Sequence, residues 1–234
     1  MSKIRIYIEK EYISKSIIIK EKELLHKIKN VLRCKNNETI YIFDGCGKEY
    51  SAKLEYFKNN VLLSNIELTR SQEPPLYKIT LGFPILKEEK IDFILQKSTE
   101  LGAWNFIPFI SQRSLKVVVK NKLERWRKII IEATRQSDRL WIPTLNNVLK
   151  FNEILDKKYS IKFFANKEGK KINNLLDKNY TDILVIVGPE GDFSEDEYSL
   201  LIKNDFLPLN LSKNILRVET ASIFAVGILN YFLN

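Results

Sequence analysis

Histidine, cysteine and long apolar runs are nearly missing from this chain of 234 residues. The single His26 and the two cysteines, Cys34 and Cys46, cannot supply a four-ligand metal site, and the cysteine pair lacks the spacing of a redox motif. They read as buried or inert thiols, and no metal is expected. The longest nearly apolar segment, Ala221 to Leu233, contains Asn230 and is too short to span a bilayer; no basic leader followed by an apolar run opens the sequence. A soluble, cytoplasmic protein with no membrane partner is expected. Repeats and low-complexity segments are absent too. The length suffices for one large domain or two small ones, each with its own core.

Charge is plentiful and unbalanced. The net charge of +9 suggests a polyanionic partner, because clustered Lys and Arg gain affinity by displacing counterions from phosphates. The abundance of Lys, Ile and Asn throughout offers a second explanation, a biased coding composition. Position separates the two in part. Residues 1–72 carry 14 Lys and Arg against 9 Asp and Glu, or +5, and residues 73–234 carry 24 against 20, or +4. The shorter segment is the more basic per residue, which suits docking on nucleic acid.

The composition shifts near SQEPPLYK, where Pro74 and Pro75 interrupt both helix and central strand. A domain boundary is expected there. Before it, Ile4, Ile6 and Ile8 alternate as in a half-buried strand, and Ile17 to Ile19 form a second apolar run. Leu24 to Leu32 suits a helix, TIYIF and KEYSAKLEYF flank the turn Asp44-Gly45-Cys46-Gly47, and VLLSNIEL follows as another strand. Four or five strands with one helix fit a compact barrel. After the boundary, strand-like KITLGF, NFIPFI, IKFFAN and DILVIV are interspersed with helices expected over 90–101 and 122–139. That pattern is an α/β domain with a mainly parallel sheet.

Three segments stand out on this framework. VGPEGDFSEDE, residues 187–197, follows the buried run DILVIV, so its glycines lie at a strand's carboxyl end, where open α/β sheets bind ligands. Ser194 and Glu197 have capping-box spacing, and a helix is expected from Glu195. The lysine of a phosphate loop and the glycine spacing of a dinucleotide fold are both absent, while Glu190 and Asp192 would repel an anion. A ligand-free strand-to-helix turn is the plainer alternative. LNLSKNILRVETASIFAVGILNYF, from Leu209, ends as a buried helix expected to begin near Thr220, with Arg217 and Glu219 at its entry. With only nine arginines beside twenty-nine lysines, Arg217 is not the default cation; it suits either a polar substrate or a salt bridge. In 122–139, Trp126, Ile130 and Ala133 share one face, and Arg125, Glu132, Gln136 and Arg139 another, which is either an RNA contact or a solvated stripe.

Taken in order, QKSTELG at 96–102 with Pro108, QRS at 112–114, RWRKIIIEATRQSDRLWIP at 125–143, VGPEG at 187–191 and ILRVETA at 215–221 resemble the bacterial 16S ribosomal RNA uridine N3-methyltransferase family of the SPOUT superfamily. HKIKNVLR and FDGCGKEY extend the similarity over nearly the whole chain. Two positions depart from the family pattern: Asp192 replaces the second glycine of GPEGG, and Leu211-Ser212 replaces Leu-Gly.

The resemblance implies a PUA-like RNA-binding β-barrel over 1–72 and a SPOUT α/β trefoil-knot methyltransferase domain over 73–234. It implies S-adenosylmethionine as cofactor, a homodimer, and methylation of N3 of a uridine in the decoding region of 16S rRNA in the small ribosomal subunit. The cofactor would lie against Ala165–Glu168, Gly188–Gly191 and Leu211–Thr220, with Ala165, Asn166, Gly188, Pro189, Glu190, Gly191, Leu211, Ile215, Leu216, Arg217 and Thr220 as its binding residues. Arg217 is expected to steady the uracil oxyanion and Glu190 or Glu219 to assist proton loss. Arg5, Arg33, Arg113, Arg125 and Arg139 are expected on RNA. Methylation of another base or a ribose hydroxyl, or a noncatalytic role in ribosome assembly, are the alternatives.

Overall fold

The computed structural model describes residues 3–114, 122–175 and 180–233. The chain divides into two compact units, Met1–Pro74 with Thr134–Ile142, and Pro75–Ala133 with Pro143–Asn234. Sequence alone suggests one break after residue 72; the second excursion, Thr134–Ile142, carries no such signal.

In the first unit, strands β1 (Arg5–Tyr7), β2 (Ile17–Ile19), β3 (Thr39–Phe43), β4 (Lys48–Phe57) and β5 (Asn60–Ser71) form one sheet in the order β1-β3-β4-β5-β2. β1 runs parallel to β3 and the other pairs are antiparallel. Register shifts after Glu49 and after Ser51 bend β4, as bulges do, and let the sheet curl. Alternate residues Ile40, Ile42, Leu54, Val61 and Leu63 point inward onto Ile6, Ile19 and Ile28. The expected helix over 24–32 is a short α1 (Lys22–His26) continued by one wider turn to Val31.

The 134–142 excursion is held to this unit by a charged cluster and by the Asp44–Gly47 turn. Arg5 is 3% exposed: its Nε donates to Glu49 Oε2 at 3.1 Å, and its two terminal nitrogens donate to the carbonyls of Arg135 and Arg139 at 2.8 and 2.9 Å. Glu49 is wholly buried and also meets Lys3, while Arg70 donates to Asp138 Oδ2 at 2.6 Å. Burial pushes the Asp138 carboxyl up, but the bond from Arg70 and the charge of Arg5 outweigh it and hold the group below the ordinary carboxylate range. At the turn, Gly47 has φ +97°, and a Cβ there would stand 2.5 Å from the Gln72 carbonyl and 2.7 Å from the Trp141 ring. The glycine is what lets Trp141 close down, its Nε1 donating to Gln72 O at 3.0 Å.

The second unit is a parallel sheet. β6 (Lys78–Pro84), β7 (Asn105–Ile110), the short β8 (Thr144–Leu145), β10 (Ile161–Lys170), β11 (Asp182–Ile186) and β12 (Phe206–Leu209) lie in the order β12-β10-β11-β6-β7-β8, with β9 (Leu149–Lys150) also on β7. All of these ladders are parallel. Helices α2 (Glu88–Glu100) and α6 (Val218–Leu233) pack together, with α6 against β6 and β11. α4 (Phe151–Leu155) and α5 (Glu195–Lys203) close a separate core in which Phe109, Phe151, Phe164, Phe193 and Phe206 are buried.

α3 (Lys122–Gln136) ends three residues before the expected stop. Asp138 takes a left-handed conformation, φ +58°, and Arg139 N bonds back to Thr134 O at 3.2 Å, a closed C-terminal turn that removes Arg139 from the expected helical stripe. Among the described residues no helix is long and apolar enough to cross a membrane, and no group of three His, Cys, Asp or Glu side chains is placed to hold a metal ion.

Candidate functional site

Three loops at the carboxyl ends of adjacent strands β10, β11 and β12 surround a cleft of about 810 Å³. The first comes from an interruption in β10. Ala165 and Lys170 both pair with Leu209, so the residues between them bulge out of the ladder. Asn166 Oδ1 accepts from Glu168 N at 2.8 Å, and Asn210 donates to the Lys167 carbonyl, which fixes the bulge against the end of β12. Ala165, Asn166 and Lys167 thereby line the cleft.

The second loop, residues 187–192, turns within one residue of β11. Asp192 N donates to Pro189 O at 2.8 Å, and Asp192 adopts φ +60°. That conformation is the one glycine enters most readily. Aspartate is among the few other residues that tolerate it, and here Oδ1 secures it by accepting from Phe193 N at 2.7 Å. α5 then starts at Glu195 behind a complete capping box: Glu197 N donates to Ser194 Oγ at 3.2 Å, and Ser194 N to Glu197 Oε2 at 3.0 Å. Glu197 is 5% exposed, and its other oxygen accepts from Gln112 N at 2.8 Å. One buried carboxylate thus joins the Gln112-Arg113 segment to the base of the glycine loop. Arg113 completes the junction by donating to the Gly191 carbonyl.

The third loop runs from Leu211 into α6. Ser212 Oγ accepts from Asn214 N at 3.0 Å, which closes a local turn. Leu211, Ser212 and Asn214 to Val218 line the cleft, as does Ala221.

Of the residues expected on the cofactor, Ala165, Asn166, Gly188, Pro189, Glu190, Gly191, Leu211, Ile215, Leu216 and Arg217 all line this one cleft. Thr220 does not. α6 begins at Val218, two residues before the expected start, so Val218 and Ala221 share the inward face and Thr220 is turned to solvent. Lys90, Val187, Asp192 and Ala221 line the cleft from outside the expected segments, and Lys167, Ser212, Asn214 and Val218 from within them. Lys90 lies 100 residues from its partner in the chain, a separation no local pattern reveals.

Two of the three expected catalytic residues, Glu190 and Glu219, meet at that lysine. Lys90 Nζ donates to Glu190 Oε1 at 2.5 Å and stands 3.6 Å from Glu219 Oε2. The hydrogen bond first, and the charge of Lys90 second, hold the Glu190 carboxyl below its ordinary range, and Arg217 adds a smaller push in the same direction. Glu190 is therefore a weaker base than a free carboxylate. Glu219 is absent from the lining, and its Oε2 is buried without a hydrogen bond among the described residues. Arg217 is exposed at the cleft.

The arginines expected on RNA separate in the structure. Arg5 is an internal clamp with its donors bound, and its assignment to RNA is withdrawn on that ground. Arg125 is tied to Glu88 and Asp92 of α2. Arg113 supports the glycine loop, and Arg139 is half-buried, its guanidinium pushed down to about 10 by burial and so still cationic at neutral pH. Arg33 is exposed.

Comparison with known proteins places this geometry. Residues 72–230 match the RNA methyltransferase domain family. The ribosomal RNA small subunit methyltransferase E of Rickettsia conorii is 33% identical over 95% of this chain and 93% of its own length. A methyltransferase from Legionella pneumophila, solved with the bound cofactor SAM, superposes with a TM-score of 0.92 at 30% identity, covering 99% of this chain and 98% of that one. The ribosomal RNA small subunit methyltransferase E of Neisseria gonorrhoeae, solved with S-adenosyl methionine, gives a TM-score of 0.86 at 30% identity over the same shares of the two chains.

Proposed function

Because the chain belongs to the RNA methyltransferase domain family, we propose that it methylates N3 of one uridine in the decoding region of 16S rRNA, using S-adenosylmethionine. The observation that carries this reading is the single cleft assembled from the bulge in β10, the 187–192 loop and the 211–221 segment. Its volume of about 810 Å³ is in the range of small-molecule sites. Its chemistry fits the cofactor: apolar Val187, Leu211, Ile215, Leu216 and Val218 for a nucleoside, the chain of Gly188 to Gly191 along the cleft for its edges, and the carboxylates of Glu190 and Asp192 for a cation.

S-adenosylmethionine supplies an activated methyl group, so that N3 forms its bond to carbon as the carbon–sulfur bond breaks, with the electron pair kept by sulfur. The chain's residues supply position and charge. Arg217, exposed at the cleft, steadies the negative charge that develops on the uracil carbonyls as the N3 proton leaves. Glu190 lines the cleft and takes up that proton. Held ionised by Lys90, it passes the proton on to water. Uracil must leave its stack to be reached, so RNA is gripped elsewhere, by the basic N-terminal unit, which we read as the PUA-like domain.

A homodimer belongs to this reading. Ile215 and Tyr231 are 87% and 81% exposed, and a second, apolar cavity of about 310 Å³ is lined by Leu209, Phe224, Ile228 and Phe232. These apolar groups around α6 suit a second copy, and light scattering at micromolar concentration tests it. The enzyme would act in the cytoplasm, where small subunits mature, with the cleft in the SPOUT trefoil knot.

The deciding experiment supplies methyl-labelled S-adenosylmethionine and small subunits lacking uridine N3-methylation, digests the RNA and identifies the labelled nucleoside. Label in N3-methyluridine at one position is expected. Label in a ribose-methylated nucleoside or another base would replace the proposed target, and no transfer to any RNA would sink the enzymatic reading.

A further inference from the structure

Lys90 is the one lysine of α2 that lines the cleft, and it reaches two other segments from there. Its ammonium meets Glu190 of the 187–192 loop at 2.5 Å and Glu219 of the first turn of α6 at 3.6 Å. It is about three-quarters covered, with a side-chain exposure of 24%, and Glu219 is more covered still at 14%. The Glu219 oxygen facing it is buried and accepts no hydrogen bond among the described residues, so its favourable contact there is the charge of Lys90. The outer part of the glycine loop, Glu190 to Asp192, is exposed. Beyond its own turn bonds and the bond from Val187 N to the Gly82 carbonyl at its start, the loop is tied by the Arg113 bond to the Gly191 carbonyl and the Lys90 bond to the Glu190 side chain.

We infer that Lys90 is the positioning residue of the cleft: one ammonium straps the glycine loop and the start of α6 to α2, and so sets the distance between two of the three walls against which the methyl donor lies. Lys90 acts through Glu190 and Glu219 and does not touch the reacting atoms. Its effect on the donor rests on the function proposed above, whereas the strapping of the loop is a property of the fold alone. An arginine can keep the strap, because it too can serve two carboxylates. A methionine of similar length cannot, and leaves Glu219 buried without its counter-charge.

The test compares full-length wild type with Lys90→Met, Lys90→Arg, Glu190→Gln and the Lys90→Met, Glu190→Gln double variant. Hydrogen exchange is read without ligand over 187–192 and 217–221, cofactor affinity by calorimetry with S-adenosylmethionine, and turnover on small subunits. Lys90→Met is expected to speed exchange in both segments and to weaken cofactor binding by about three- to fivefold, the scale of a partly exposed ion pair. The loss should fall on KM for the cofactor rather than on kcat at saturation. Lys90→Arg should restore most of both, and without ligand the double variant should exchange over 187–192 no faster than Lys90→Met. Unchanged exchange in a folded Lys90→Met protein would overturn the strap, as would additive increases in that exchange in the double variant. Intact cofactor affinity with collapsed kcat would instead put Lys90 on the uracil. A wild-type protein that failed to bind S-adenosylmethionine would refute the proposed function, while the exchange data would still decide the strap.

Discussion

Replacing Glu197 by alanine tests how the cleft is built. Its carboxylate, 5% exposed, accepts from the backbone N–H of Gln112 at 2.8 Å and of Ser194 at 3.0 Å, and belongs to the capping box of α5. Alanine strands the N–H of buried Ser194 and that of the more exposed Gln112. A bond to a charged acceptor contributes about 1.5–3 kcal/mol, and the orphaned donors are only partly rescued by water entering the space left behind. We expect a loss of about 3 kcal/mol in the second unit. For roughly 150 residues that lowers the midpoint by about 6–12 °C. Glu197→Gln should cost about half as much, because its carbonyl oxygen can still serve one N–H while its amide nitrogen faces the other. Urea unfolding followed by tryptophan fluorescence, with scanning calorimetry for the midpoint, reads both. A change below about 0.5 kcal/mol for alanine would refute the reasoning, since it would mean that the two donors are satisfied without the carboxylate.

Other expectations follow from single residues. Asp192→Val forces a β-branched side chain to φ +60° and should destabilise the protein by about 2 kcal/mol, whereas Asp192→Gly should stay within about 0.5 kcal/mol, both read by urea unfolding. Arg217→Ala should lower kcat on small subunits by about a hundredfold with the melting temperature unchanged, because the side chain is exposed and works only on developing charge; full turnover at saturation would remove Arg217 from the mechanism. Asp138 has its carboxyl depressed in the folded protein, so the stability it contributes is present above the unfolded value of about 3.9 and is lost as pH falls through the lower folded value. Asp138→Asn should flatten the acid limb of stability against pH by at most about 1 kcal/mol, and an unchanged limb would show the pair with Arg70 to be inert.

Much of the cleft was legible because its chemistry is local. Gly188, Glu190 and Gly191 announce themselves by following a buried strand, and Ser194 with Glu197 marks the next helix by spacing alone. What sequence patterns missed depends on contacts between distant segments. Lys90 reads as one more helical lysine until the fold brings Glu190 and Glu219 to it. Arg5 reads as a surface cation between inward isoleucines, yet Glu49 and two carbonyls from the 134–142 excursion draw it inside. Thr220 entered with the resemblance over Leu211–Thr220, and the helix that starts at Val218 leaves it exposed. β12 had no clear pattern, since Pro208 interrupts FLPL and only its pairing along β10 makes it a strand.

The excursion of residues 134–142 also bears on how such a protein can change in evolution. A recombination event that carried residues 1–74 into another gene would deliver a sheet whose Arg5 lacked its two carbonyl acceptors and whose Gly47 turn had no Trp141 to receive. The missing piece, Thr134–Ile142, lies between the two stretches of sequence that make up the other unit. The two units are therefore inherited together, and substitutions in the 134–142 segment answer to the sheet that holds it as well as to the helix that leads into it.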